Sequence, residues 1–371
     1  MLGVAICFSM LLLLTASVDA QDFRIRGRLH MDGIYGINED AKMFSNGFNN
    51  RRARLGMTGT IAPGWDGIVE IDVADAVLDP KDFRLRRRFE NGGALLIGQF
   101  KVPQGMNQLT SSNSITFIER ASSNNAIPDA RRIGVGYTYF KPTFGFQSML
   151  FGRSLGQRAT LNNDMPIGLG LRGTFFPKIG EGQFHIGASA VFQQHWGYPE
   201  LRFNDRPEAR DSKGGSVRFT DVRVNDAQST FKAGLEMLYI HGPFSIEGEY
   251  LQLGVNRKDD NNPNFNAFHV QASYVLTGES RSYRSGLPGG ISPSGDKGAW
   301  EVALRYSVLN LNDEFPDVIA FNGGEQSNIT IALNHYVTSR LRFMANVVII
   351  DTDKLEDKTP VVAMVRAQFN F

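Results

Sequence analysis

The chain has 371 residues, with 39 Lys+Arg against 38 Asp+Glu, 42% apolar residues and one cysteine, Cys7. That charge balance gives no basis for binding nucleic acid, and the lone cysteine excludes a disulfide or Cys-metal framework. No apolar run of about twenty residues is present to cross a bilayer as a helix, yet the chain carries 27 Phe and 10 Tyr.

Met1–Ala20 reads as a secretory leader. Its apolar run, Met10-Leu11-Leu12-Leu13-Leu14, is followed by Val18 and Ala20, small enough for the −3 and −1 positions of a cleavage site. No Lys or Arg precedes the run, and the run is too short for a retained span. Cleavage there removes Cys7 and starts the mature chain at Gln21. Residues 21–371 show no linker and no composition shift, and are read as one domain.

Period-2 alternation then dominates. In the first strand Arg24, Arg26 and Arg28 share a face opposite Ile25, Gly27, Leu29 and Met31. Next, Arg52 and Arg54 share a face, with Arg51 expected at the rim. Further on, Arg84, Arg86 and Arg88 lie with Asp82, opposite Phe83, Leu85 and Phe89; Arg87 breaks the pattern and is expected near an interface. Arginine facing lipid costs about 2–4 kcal/mol at the midplane, so these rows are expected to face an aqueous lumen. Guanidinium groups stay charged and offer fixed forks to oxyanions. Such rows suit anion and phosphate pores.

Gly98 to Tyr137 begins and ends as strand, but roughly thirty residues between are neither strand nor helix. A long irregular segment in a compact domain needs a reason. The expected reason is that it folds into the lumen as a constriction. It contains Lys101, Gln108, Ser111 and Ser112 and ends at Arg131 and Arg132. Its only acids between Phe100 and Arg132 are Glu119 and Asp129, so no strong acidic counter-wall is expected on it.

Later segments repeat the alternation. Phe184, Ile186, Ala188, Ala190 and Phe192 oppose His185, Ser189 and Gln193. Phe231 to Tyr239, Ile246 to Tyr250, Trp300 to Val308 and Leu341 to Ile349 behave alike, and the last strand ends on Phe371, an aromatic ending of the kind outer-membrane insertion machinery reads. At roughly 22 residues per strand and connection, residues 21–371 supply about sixteen strands. An even number closes an antiparallel barrel, which satisfies the backbone in lipid. Pro199–Gln228, Asn256–Asn264 and Gly278–Lys297 are expected as extracellular loops; Asn91-Gly92-Gly93 and Lys178–Gly182 are expected as periplasmic turns.

Other motifs carry little. Gly152-Arg153-Ser154-Leu155-Gly156 matches a nucleophile elbow, but no helix is expected after it. Gly168 to Gly173 matches G-x-G-x-x-G but continues as strand. Histidines 30, 185, 195, 241, 269 and 335 are scattered singly, without metal spacing. No catalytic set, metal site or cofactor is expected. Arg257 to Asn262 could touch a divalent ion or lipopolysaccharide, but a solvated loop is the simpler reading.

Taken together, the chain resembles the phosphate-selective porin O and P family across nearly the whole of residues 21–371. The resemblance rests on Arg51-Arg52-Ala53-Arg54-Leu55-Gly56, Gly98–Ser112, Phe117-Ile118-Glu119-Arg120-Ala121, Arg131-Arg132-Ile133-Gly134-Val135, Leu276–Arg281 and Gly298–Ser307. It implies a sixteen-stranded trimeric barrel in the outer membrane of a Gram-negative bacterium. It also implies a constriction around Ser111 and Ser112 and an arginine-lined route for phosphate or polyphosphate. Phosphate-selective members carry a lysine three residues before the paired serines; here that position is Gln108. A neutral amide weakens the case for strict phosphate selectivity and leaves anion preference standing. Lys101 is a substitute only if it reaches the loop. The expected function is passive diffusion of small anions past Arg26, Arg28, Arg52, Arg54, Arg84, Arg86, Arg88, Arg131 and Arg132. The rivals are a weakly selective pore for organic solutes and a hydrolase on a barrel rim.

Overall fold

A computed structural model describes residues 23–156, 165–195, 200–258, 261–313 and 321–371. The expected leader and its cleavage site lie outside the described residues. Sixteen wall strands follow in order: Arg24–Gly36, Gly47–Ala62, Trp65–Asp72, Asp79–Arg88, Gly93–Lys101, Arg131–Phe140, Phe144–Phe151, Ile167–Phe175, Gly182–Gln194, Ala227–His241, Phe244–Arg257, Asn264–Val275, Ala299–Asp313, Phe321–Tyr336, Leu341–Thr352 and Val361–Asn370. Each pairs antiparallel with the next, and the last returns to the first through Arg28 opposite Asn370. That pairing closes the cylinder and leaves no free edge.

Outward positions are apolar and exposed, as at Leu235 and Met237 or Ile329, Ile331 and Leu333. Inward positions are buried and mostly polar, as at His185, Ser189 and Gln193 or Thr330 and Asn334. A cylinder with an apolar skin and a polar interior, closed in its hydrogen bonding, is an outer-membrane barrel. Among the described residues no helix is long and apolar enough to cross a membrane.

Because strands alternate direction, connections alternate between the two ends. The tight turn at Gly242, with φ +53, marks one end; a left-handed residue there suits glycine. Val275 N donates to Pro243 O and Leu276 N to Trp300 O. Residues 276–298 therefore leave from that turn end, which faces the periplasm. This corrects the expectation that Gly278–Lys297 is extracellular. Length suggested a loop; strand parity decides the end.

Three segments enter the lumen. Residues 102–130 fold in from the loop end and contain two short helical turns, Met106–Leu109 and Ser122–Ala126. A hairpin of Glu200–Asp205 with Thr220–Asn225 comes from the same end. From the opposite end, 276–298 brings a small hairpin of Tyr283–Arg284 with Leu287–Pro288.

The wall prepares for these arrivals. In Phe244–Arg257 the inward face reads Glu247, Glu249, Leu251, Leu253, Val255, turning from acid to apolar toward the loop end. Leu251, Leu253, Val255, Phe265, Leu309 and Leu311 then bury Ile127, Phe203, Val222 and Val224 of the incoming segments. A second cluster joins Ile118, Ala209 and Phe219 to Met344, Val348, Ile350, Val362 and Met364. Residues 276–298 are fastened differently. Arg281 pairs with Glu301 and donates to Ser114 O and Gly289 O at 3.0 Å each.

Arg281→Ala leaves Glu301 buried with only the more distant Arg342, 3.8 Å away. Removing one partner of such a pair costs on the order of 3 kcal/mol. The variant should show a higher single-channel conductance than wild type and a lower temperature for the folded-to-unfolded shift on gels.

Candidate functional site: a channel along an arginine wall

The first six strands, the constriction segment and the tip of 276–298 enclose a cavity of about 1080 Å³. Fourteen arginine and lysine side chains line it against six carboxylates. Of the residues singled out in the sequence, Arg26, Arg28, Arg52, Arg54, Arg84, Arg86, Arg131, Lys101, Gln108, Ser111 and Ser112 lie on its lining. Arg88 does not; it sits at the turn end, 59% exposed, with Arg86 and Asp66. Arg132 is also off the lining and is held by Asp129, which Lys232 shares. Arg87 lies outward over the Trp65 ring, as its odd position suggests.

Arg51 is not at the rim. His30 pairs with Arg52 and Met31 with Asn50, so Arg51 is the extra residue of a β-bulge. The bulge turns both neighbours inward. Arg51 then grips Glu119 of the constriction through two N–H groups, one of them 2.9 Å from Oε2. Burial would raise the Glu119 carboxyl, but Arg51, Arg52 and Arg366 outweigh it and hold it well below the usual carboxylate range.

The wall also supplies acids that the sequence reading passed over. Asp66, Glu70 and Asp72 share the inward face of Trp65–Asp72, between two arginine strands. Glu70 takes Arg26 at 2.9 Å, Arg28 at 3.1 Å and Arg54 at 3.4 Å. Asp72 takes Arg54 at 2.8 Å, and Asp82 takes Arg131 at 3.0 Å. The counter-charge is in the wall rather than on the constriction. Its signal was legible as period-2 acids at 66, 70 and 72. Arg52, Arg84 and Arg120 have no carboxylate partner among the described residues, and Arg52 Nε and Arg84 Nε make no hydrogen bond. They are the guanidinium groups left with donors for a passing anion.

The constriction is tied to the wall at its narrowest contact. Arg28 Nη1 donates to Ser112 Oγ at 2.8 Å, while Ser111 stays exposed. Lys101 does reach the loop. Its ammonium donates to the carbonyls of Gln108, Leu109 and Thr110 at 2.5, 3.0 and 3.2 Å. Three donors meet three carbonyls, so Lys101 caps the turn Met106–Leu109 and has no N–H left for an anion. Arg120 spends two donors likewise, on Asn107 O and Thr110 O. On the far side, Arg305 donates to Glu119 O, Arg342 to Ile115 O and Thr116 O, and Arg366 to Ile118 O. Composition and alternation gave no hint of these fasteners, because their targets are main-chain atoms far away in sequence.

The discarded motifs stay discarded. No helix follows Ser154 within the described residues 152–156, and Gly168 to Gly173 lies inside the strand Ile167–Phe175.

A closed outer-membrane barrel narrowed by inward segments along a charged wall defines a porin. The chain matches the family described as "Phosphate-selective porin O and P" over residues 23–371, and it belongs to that family. Porin O of Pseudomonas aeruginosa is 24% identical over 381 residues, covering 90% of this chain and 84% of that protein. An uncharacterized protein of Caulobacter vibrioides is 26% identical over 354 residues, covering 89% and 69%. Among solved structures, a loop-deletion mutant of OmpT, an outer membrane protein of Vibrio cholerae, matches with a TM-score of 0.62 at 13% identity, over 95% of this chain and 100% of that one. An anion-selective porin from Comamonas acidovorans matches with a TM-score of 0.58 at 13% identity, again over 95% and 100%.

Asp205 lines the cavity and meets Asn125 Nδ2 at 3.2 Å. Burial pushes its carboxyl up to about 8, against hydrogen bonding from Arg206 and Asn125, with Glu208 adding to the rise. The group is neutral at pH 7 and gains negative charge as pH passes 8. The anion-over-cation permeability ratio should therefore fall between pH 7 and pH 9, and Asp205→Asn should remove that step.

Proposed function

We propose that this porin passes small anions by diffusion, with phosphate-like oxyanions as the preferred class, and that it catalyses no reaction. The observation that carries this reading is the unequal lining. The open space lies beside the arginine strands, where Arg52 and Arg84 keep unpartnered donors. Glu236, Glu247, Glu249 and Glu301 also face inward, but all four are buried under the incoming segments. An anion meets exposed guanidinium; a cation finds most carboxylates covered or already paired. Binding at two or three such groups is weak enough for release, as conduction requires.

The working unit is read as residues 21–371 after loss of a leader at 1–20, assembled as a homotrimer. Its apolar skin would sit in outer-membrane lipid with lipopolysaccharide at the outer leaflet. A weakly selective pore for small organic solutes is the second reading. It is favoured by the pairing of most lining arginines with Glu70, Asp72 and Asp82, and by the neutral Gln108.

A planar bilayer with a potassium chloride gradient separates the two. The proposal expects a reversal potential of the anion-selective sign; a cation-selective sign refutes it. Phosphate titrated into chloride should block the current, and Gln108→Lys should strengthen that block by several-fold. Unchanged block in Gln108→Lys would show that position 108 does not meet the anion.

A further inference from the structure

We propose that Glu247, Glu249 and His269 bind one divalent cation of the zinc type, which fastens the underside of the constriction to the barrel wall. Glu249 and His269 are direct cross-strand partners, and Glu247 lies two residues away on the same face. Their ligating atoms all lie within 4.8 Å of one another, and all three residues are buried. Singly placed in sequence, this histidine is not alone in the fold.

Two observations point to a ligand rather than to an ordinary buried cluster. First, Glu249 Oε2 and His269 Nε2 are buried without a hydrogen-bond partner. His269 Nε2 stands 3.6 Å from Glu247 Oε1, outside hydrogen-bonding distance. Second, the charge is uncompensated. Other buried carboxylates in this lumen hold a cationic partner: Glu236 with Arg172, Glu301 with Arg281, Glu208 with Arg305, Asp32 with Arg366. Glu249 has no ion pair among the described residues, and Glu247 has only His269. Burying two neighbouring carboxylates without a cation costs several kcal/mol per charge. A divalent ion cancels both.

The donor set selects the ion. Two carboxylates and one imidazole match the three protein ligands that zinc accepts alongside a water. Calcium requires six to eight oxygens, which this set does not supply. The surroundings orient the ligands. Asn107 of the constriction donates its backbone N–H to Glu249 Oε1 at 2.5 Å and its side-chain amide to Glu247 Oε1 at 3.1 Å. Ser123 Oγ lies 3.1 Å from His269 Nδ1. With Nδ1–H donating to that hydroxyl, the Nε2 lone pair faces the carboxylates, the arrangement in which a second partner fixes a ligating imidazole. Both Asn107 and Ser123 belong to residues 102–130, so a cation here would lock that segment in place. This inference does not depend on which solute the pore carries.

The site lies beneath the constriction, so the ion would enter as the barrel folds. The test is to refold the full chain in detergent with cobalt(II), remove excess metal by gel filtration, and measure metal content and visible absorption. About one cobalt per chain, with the ligand-field band of a nitrogen- and oxygen-bound ion, is expected. His269→Ala and Glu249→Gln should each lose it, while Asp129→Asn, elsewhere in the lumen, should keep it. Folding is checked by heat-modifiable migration, and Glu247→Gln replaces any variant that fails that check. Folded wild type without bound cobalt, or equal cobalt in the ligand variants, overturns the proposal.

Discussion

Guanidinium groups inside a sealed cylinder do two different jobs here, and the architecture depends on the division between them. Arg305, Arg342, Arg366 and Arg281 point at main-chain carbonyls of the constriction and bind them. Hydrogen bonds from charged donors are worth about 1.5–3 kcal/mol each. Such bonds can hold a segment of irregular backbone inside a polar lumen where helix and sheet ladders do not reach. Arg26, Arg52, Arg54, Arg84 and Arg86 belong to strands facing the space that remains. Placement of the loop on one side is what leaves the other side open.

The same division sets the electrostatics. Carboxylates on Trp65–Asp72 and at Asp82 neutralise part of the arginine wall and keep its side chains extended in fixed positions. A wall of unpaired arginines would repel itself and bind anions too tightly to release them. Leaving Arg52 and Arg84 without carboxylate partners localises the attraction at two levels of the route. A lumen of low dielectric strengthens that attraction relative to bulk water.

Much of the fold was legible in the sequence. Alternation at Arg26 and Arg28, Arg52 and Arg54, and Arg84 and Arg86 placed these rows opposite apolar faces, and lipid forbids charge on the outside. The irregular stretch after Lys101 announced the constriction. What escaped the reading needed partners across strands or turns of the cylinder. Arg51 turned inward through a bulge that appears only when two strands are paired. The end from which 276–298 departs followed from counting strands rather than from loop length. Lys101 met its carbonyls because a helical turn brings residues 108 to 110 back over it. Glu249 and His269 became neighbours by register, twenty residues apart in the chain. One sign of the inward segments was present all along: the inward face of Phe244–Arg257 changes from Glu247 and Glu249 to Leu251, Leu253 and Val255, which a water-lined wall has no use for.

The central claim is that permeating anions run along the first strands, past Arg52 and Arg84, and not through the middle of the lumen. Crystals of the protein soaked in bromide, with the ions located by anomalous scattering, test it most directly. The account predicts bromide peaks within hydrogen-bonding reach of Arg52 and Arg84. Peaks clustered only beside Glu236 and Glu301, or a lumen free of bromide along the arginine strands, would contradict it.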